Sequence, residues 1–225
     1  PHHLGMKFDA IVSNPPYSKS WEGKNNTILI NDVRYSPAGV LAPIQRSDLA
    51  FTMHMLYHLS ETGTCAIVEF PGVLYRGGAE KKIREYLIKN NFVDTVIQLP
   101  ANLFFGVGIA TCIIVIKKNK KDNNILFVDA SEECEKKGDK NKLEDENQNR
   151  IVNAYQERKE EQYFTKLVSN DEVLANGANL SVSSYVEKED KREVIDIVAL
   201  NEEIEALSKD VRNRSVELDE MIKEL

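Results

Sequence analysis

Apolar positions in the first 130 residues come in short dense runs separated by polar stretches that carry proline and glycine. Phe8–Ser13 (FDAIVS), Thr64–Phe70 (TCAIVEF), Val93–Leu99 (VDTVIQL), Thr111–Lys117 (TCIIVIK) and Ile125–Val128 each have the length and β-branched content of a buried strand. Between the first two runs the period lengthens. Leu49, Met53, Leu56 and Leu59 share one face of a helix expected over Asp48–Ser60, with Ser47 as its N-cap. A second helix is expected over Ala79–Asn90, after a Gly77–Gly78 turn. Buried strands alternating with helices predict an α/β domain with a mainly parallel sheet. The runs 93–99 and 111–117 flank a loop and read as a hairpin at the edge of that sheet. Residues 18–46 show no period, and a loop of that length inside a compact domain is functional or mobile.

The pattern changes at Ala130. Residues 131–162 are dense in Glu, Lys, Asp and Asn, with a surface helix expected around Asn147–Glu161, and 163–190 predict short irregular elements. From Arg192 to Leu225 one long helix is expected. Ile197, Leu200, Ile204, Leu207, Val211, Leu218, Met221 and Leu225 alternate by three and four, interrupted only at Arg214. A stripe of about four heptads supports a coiled-coil contact. The expected organisation is therefore an α/β domain over 1–130, a charged extension over 131–190 and a heptad-patterned helix over 191–225.

Composition narrows the class. The 42% hydrophobic and 29% charged residues describe a globular chain, and no apolar run approaches the roughly 18 residues of a membrane span. No secretion-signal pattern is visible, and Cys65, Cys112 and Cys134 are an odd, widely spaced set. A reducing, cytoplasmic setting without a disulfide framework or zinc site is expected. The net charge of −7 is unusual for a chain that grips DNA alone, because phosphate neutralisation supplies much of that affinity. Any grip on DNA would then come largely from other segments or from a partner.

The informative motif is Asn14-Pro15-Pro16-Tyr17, directly after the first buried strand. It resembles the catalytic motif of amino-group methyltransferases that use S-adenosylmethionine. The exocyclic amine of adenine is a poor nucleophile because its lone pair is delocalised into the ring. Two acceptors at its N–H bonds, the Asn14 side-chain oxygen and the Pro15 carbonyl, would favour a tetrahedral nitrogen and stabilise its developing positive charge. Pro15 and Pro16 stiffen the turn, Tyr17 would stack on the base, and the base must leave the duplex to reach such a pocket. The competing interpretation is a proline-rich turn capped by Asn. The motif's place at the carboxyl end of a buried strand, where open α/β sheets bind ligands, favours the catalytic one.

Further residues extend the resemblance from about Lys7 to Val186. They are Ser47-Asp48-Leu49-Ala50-Phe51 with His54, then Gly63, Phe70-Pro71-Gly72-Val73-Leu74-Tyr75-Arg76-Gly77-Gly78, Arg84, Gln98-Leu99-Pro100 with Phe104, Asn179-Leu180-Ser181-Val182 and Tyr185-Val186. Together they are similar to the modification subunit of type I restriction–modification systems, within the N6-adenine DNA methyltransferases. The resemblance implies the C-terminal half of a class I (Rossmann-like) methyltransferase sheet with a late β-hairpin. It also implies S-adenosylmethionine as donor, and DNA, a specificity subunit and a restriction subunit as partners. Phe104 and Phe105 become candidates for stacking on the flipped base.

The family places a Gly-rich cofactor loop upstream of this motif, whereas 13 residues precede Asn14 here, so the chain by itself is expected to be inactive. Gly106-Val107-Gly108 is a lone G-x-G read as a turn, and Gly77-Gly78 could bind an anion at a helix start. A non-catalytic interaction module and a protein-glutamine or RNA methyltransferase are the alternative functions. His54 and His58 have a metal-compatible spacing without a third ligand, and Lys117, Lys118, Lys120 and Lys121 form a basic cluster; both are read as structural.

Overall fold

A computed structural model of the chain describes residues 3–104, 108–189 and 196–223. The expectations for Phe105, Gly106, Val107, Lys191 to Val194 and Leu225 lie outside the described residues. Residues Pro1–Lys188 form one compact unit and Glu189–Leu225 a second.

The first unit is built on strands β1 (Phe8–Ser13), β2 (Leu59–Glu69), β3 (Val93–Gln98), β4 (Cys112–Lys117), β5 (Asn124–Asp129) and β8 (Thr165–Ser169). They form a six-stranded sheet in the order β1-β2-β4-β3-β5-β8. β1 pairs parallel with β2 and β3 with β5, while β4 runs against both β2 and β3, and β8 against β5. Four strands thus share one direction. The antiparallel pair β3–β4 is not at the edge, as the sequence suggested; β4 is inserted between β2 and β3. Its alternating run serves both faces, with Ile114 and Ile116 in one core cluster and Ile113 against the other. A strand apolar on both faces is stable only with a neighbour on each side and cover above and below.

Helices α2 (Asp48–His58), α3 (Ala79–Lys89) and α5 (Asn170–Ala175) supply the larger cluster, which includes Leu49, Met53, Ile83, Leu87, Val173, Ile67, Val96 and Phe127. Helix α4 (Asp145–Glu157) contributes Ile151 to the second, with Ile97, Leu126 and Val128. The stretch expected as a separate extension from residue 131 belongs to the same unit, because β8 completes the sheet and α4 covers part of it. A short two-stranded ribbon, β6 (Glu135–Lys137) and β7 (Lys140–Lys142), lies between β5 and α4 in the chain. A four-residue helix, α1 (Thr27–Ile30), lies within the long loop 18–46.

Two local expectations are corrected. Ser47 makes no side-chain cap to α2; its carbonyl instead accepts from the amides of Ala50 and Phe51. Helix α2 stops at His58 and β2 begins at Leu59, five residues before the expected Thr64. At Gly63 a Cβ would come within 2.7 Å of Leu59 Cδ1 and 2.9 Å of the Phe8 carbonyl oxygen. Glycine is required there because β1 and β2 shift register between Phe8 and Ala10.

The second unit contains α6 (Ile197–Lys223), whose 27 residues span about 40 Å. It begins at Ile197, and the Asp196 side chain caps it by accepting from the Val198 and Ala199 amides at 3.0 and 3.1 Å. Ile197, Leu200, Ile204, Leu207, Val211, Leu218 and Met221 are all exposed. Among the described residues no helix is long and apolar enough to cross a membrane.

Candidate active site

Strand registers bring the candidate residues to one end of the sheet. Ser13, the last residue of β1, lies opposite Ile67. Glu69 ends β2 opposite Cys112, the first residue of β4, which also faces Gln98 at the end of β3. The segments leaving β1 and β3 therefore emerge at the shared carboxyl end of the parallel strands. The tips of β1 and β4 are separated by two strand spacings, about 10 Å.

β1 ends where it does because Pro15 and Pro16 lack the N–H that would extend the ladder along β2. Pro15 is buried, Asn14 is exposed and Tyr17 is half-buried. The Tyr17 hydroxyl donates to Asn14 Oδ1 at 3.0 Å, closing a four-residue turn. Ser18 follows with φ 50°, an unusual value for a side-chain-bearing residue, and its amide donates to Asp48 Oδ1 at 2.7 Å. The loop after it is ordered at its neck. The Ser47 amide donates to the Lys19 carbonyl at 3.0 Å, the Trp21 amide to Ile44 O at 2.9 Å, and Trp21 Nε1 to Pro43 O at 3.0 Å. Trp21 packs edge-on against Tyr35 with ring centroids 5.3 Å apart. The unpatterned stretch is thus a closed loop with its own small aromatic core.

Behind the turn lie three buried acids: Asp48 in the first turn of α2, Glu69 at the end of β2 and Glu80 in the first turn of α3. Glu69 Oε1 accepts from the Thr52 hydroxyl at 2.9 Å, while Oε2 has no partner within the protein. Burial is the main cause that pushes the Glu69 carboxyl up to about 8, with Asp48 and Glu80 adding to it. Tyr17 is also raised above the ordinary tyrosine value, first by burial and then by the negative field of Glu69 and Cys112. The sequence reading gave no individual role to Asp48, named only within the Ser47–Phe51 segment, or to Glu69. The available signal was an acid closing an otherwise apolar run, TCAIVEF, directly before Pro71-Gly72.

The other aromatic candidate sits on the loop joining β3 to β4. Its neck is closed by the Leu99 amide and the Gln98 side chain, which donate to Thr111 O at 2.9 and 3.0 Å. Phe104 is half-buried, and its carbonyl accepts from Lys140 Nζ of β7 at 3.2 Å. Asn141 holds the same loop through its side chain to Ala101 O at 2.8 Å and its amide to Asn102 O at 3.2 Å.

The remaining candidates are accounted for structurally. Lys117 pairs with Asp94 at 3.3 Å, Lys118 reaches Leu59 O, and Lys120 caps Val93 O and Asn124 O. All three follow from β4, so they lie at the opposite end of the sheet from Asn14. His54 Nδ1 faces Arg34 Nη1 at 3.2 Å and His58 Nδ1 faces Met6 O at 3.0 Å. Among the described residues no group of His, Cys, Asp and Glu could hold a metal ion. Near the start of α3, behind Gly77–Gly78, the buried Glu80 carboxylate faces Arg46 and Arg76 at 3.8 and 3.6 Å, and the N-cap position, Gly78, has no side-chain cap.

A mixed α/β sheet with an Asn-Pro-Pro-Tyr turn at the carboxyl end of a parallel strand defines a class, and the comparison with known sequences agrees. Residues 1–194 match the family described as N-6 DNA Methylase, and the chain belongs to that family. It is 45% identical over 220 residues to the Type I restriction enzyme MpnII methylase subunit of Mycoplasma pneumoniae, covering 96% of this chain and 40% of that protein. The MjaVII methylase subunit of Methanocaldococcus jannaschii is 33% identical over 228 residues, covering 96% and 38%. Among solved structures, the type I restriction-modification system methyltransferase subunit from Streptococcus thermophilus superposes with a TM-score of 0.79 at 40% identity. That match covers 83% of this chain and 40% of the other. The chain therefore spans about two-fifths of the length of these relatives.

Proposed function

We propose that this chain provides the acceptor half of a DNA adenine-N6 methyltransferase acting in a type I restriction–modification assembly. The observation that carries the reading is the turn itself: Asn14 exposed at the tip of β1, Pro15 packed beneath it, and the Tyr17 ring beside it. The extruded adenine would lie on Tyr17, with its amino group donating to Asn14 Oδ1 and to the Pro15 carbonyl oxygen. An amide oxygen accepts two hydrogen bonds, so the Tyr17 hydroxyl fixes the Asn14 carboxamide and still leaves one site for the base. Both acceptors are neutral dipoles held by a proline-stiffened turn, so little reorganisation is needed as positive charge grows on nitrogen. Phe104, on the loop joining β3 to β4, would close the other side of the base.

S-adenosylmethionine supplies, when bound, a methyl group on a sulfonium sulfur. The roles proposed for Asn14, Pro15 and Tyr17 are all toward the acceptor base. DNA, a specificity subunit and a restriction subunit are the proposed partners, in a cytoplasmic setting. The exposed heptad face of α6 favours docking on a helical specificity subunit, since an isolated helix with such a face is marginal in water. That same face would suit a chain serving only as an interaction module. The test is N6-methyladenine formation by the complete assembled methylase with and without Asn14→Ala. Loss of methylation with assembly intact is expected; full methylation by the variant would refute the assignment.

A further inference from the structure

Asp48 is an expensive residue to keep where it is. It is 1% exposed, and only Oδ1 is engaged, by the Ser18 amide at 2.7 Å; Oδ2 has no partner within the protein. A buried carboxylate with a free oxygen destabilises a fold compared with a neutral residue of similar shape. Its single bond lands on the residue immediately after Tyr17, whose φ of 50° would relax without it. Asp48 is itself held in the first turn of α2, where the helix dipole favours an anion, and the adjoining Ser47 amide grips Lys19 O.

We infer that Asp48 is a positioning residue for the Asn14–Tyr17 turn, acting through the Ser18 amide to set the tilt of the Tyr17 ring and the direction of the Asn14 side chain. The inference rests on the methylation reading for its purpose, but the grip can be tested apart from catalysis. In the 225-residue chain, the exposed Ser18 should have an amide that exchanges with deuterium at least about 100-fold more slowly than an unstructured one. Asp48→Ala should abolish that protection and Asp48→Asn, which keeps the acceptor, should retain it. In the complete methylase, Asp48→Ala should lower kcat about tenfold or more, with KM for S-adenosylmethionine within about twofold of wild type, and Asp48→Asn should restore kcat.

An unprotected Ser18 amide in the wild type, a folded Asp48→Ala enzyme with normal kcat, or an Asp48→Asn enzyme as impaired as Asp48→Ala would each overturn the inference. Should Asp48→Ala not fold, wild-type exchange and Asp48→Asn kinetics still decide it. A wild-type assembly that forms no N6-methyladenine would overturn the methylation reading and with it the catalytic purpose of Asp48; Ser18 protection would then identify a grip without that purpose.

Discussion

Replacing Glu69 by Gln should make the first unit more stable at neutral pH and remove part of its pH dependence. The Glu69 side chain is fully buried, accepts one hydrogen bond from Thr52 and faces the negative field of Asp48 and Glu80. Burial raises its carboxyl to about 8 in the folded chain, against an ordinary glutamate value near 4.3 when unfolded. The folded state therefore holds a proton that the unfolded state has released between those values. Stability is fully present below about pH 4 and falls as pH rises toward about 8, at up to about 1.4 kcal/mol per pH unit. Between pH 5.5 and 7.5 Glu69 alone should remove about 2 kcal/mol. Gln keeps the acceptor for Thr52 and carries no charge. Urea unfolding followed by circular dichroism at both pH values gives the quantity needed, the difference between variant and wild type at each pH. That difference should grow by about 2 kcal/mol from pH 5.5 to 7.5. A difference that stays constant, or a variant less stable at pH 7.5, would refute the reasoning about Glu69.

Other outcomes follow from particular contacts. Arg84 is 1% exposed and donates to Ala178 O at 2.7 Å and Val73 O at 2.8 Å. Arg84→Ala should lower unfolding stability by about 3 kcal/mol through two unmet carbonyls and a cavity, measured by urea melts. In the complete methylase, Tyr17→Phe keeps the ring but frees the Asn14 carboxamide and should lower kcat about five- to tenfold, whereas Tyr17→Ala should in addition lose about 1–3 kcal/mol of base stacking, read as kcat/KM. A chain ending at Lys188, the boundary of the first unit, should keep its urea midpoint and fail to co-purify with the specificity subunit; undiminished co-purification would count against α6 as the docking element. Calorimetry of the 225-residue chain with S-adenosylmethionine should give little or no heat, and micromolar binding would contradict the assignment of its residues to the acceptor side.

Much of the fold could be read from residue spacing, and the exceptions have physical causes. The strands 8–13 and 93–98 and helix 79–89 were recognisable because each is an apolar run or face that ends at Pro, Gly or Asn; the burial expected of 8–13 is not met, since β1 is an edge strand with Val12 87% exposed. The insertion of β4 was not, because strand order is set by which faces and edges need covering and leaves no mark on local periodicity. β8 reads as TKLVS, too short and polar to stand out; its burial depends on pairing with β5. At the site, the Asn-Pro-Pro-Tyr turn was legible because two prolines after an apolar run leave few conformations. The acids behind it were not, since a pattern reading assigns charge to the surface and only the packing of α2 on β2 reveals Asp48 and Glu69 as buried. Lys117, Lys118 and Lys120 illustrate the converse: a basic cluster in sequence whose ammonium groups are spent on carbonyls and Asp94.

The geometry at adenine is tested most directly by a structure of the complete methylase bound to its DNA site and a non-reactive cofactor analogue. The target adenine should be out of the helix against the Tyr17 ring, with its amino nitrogen about 3 Å from both Asn14 Oδ1 and the Pro15 carbonyl oxygen. A flipped adenine whose amino group contacts neither oxygen would contradict the role given to this turn.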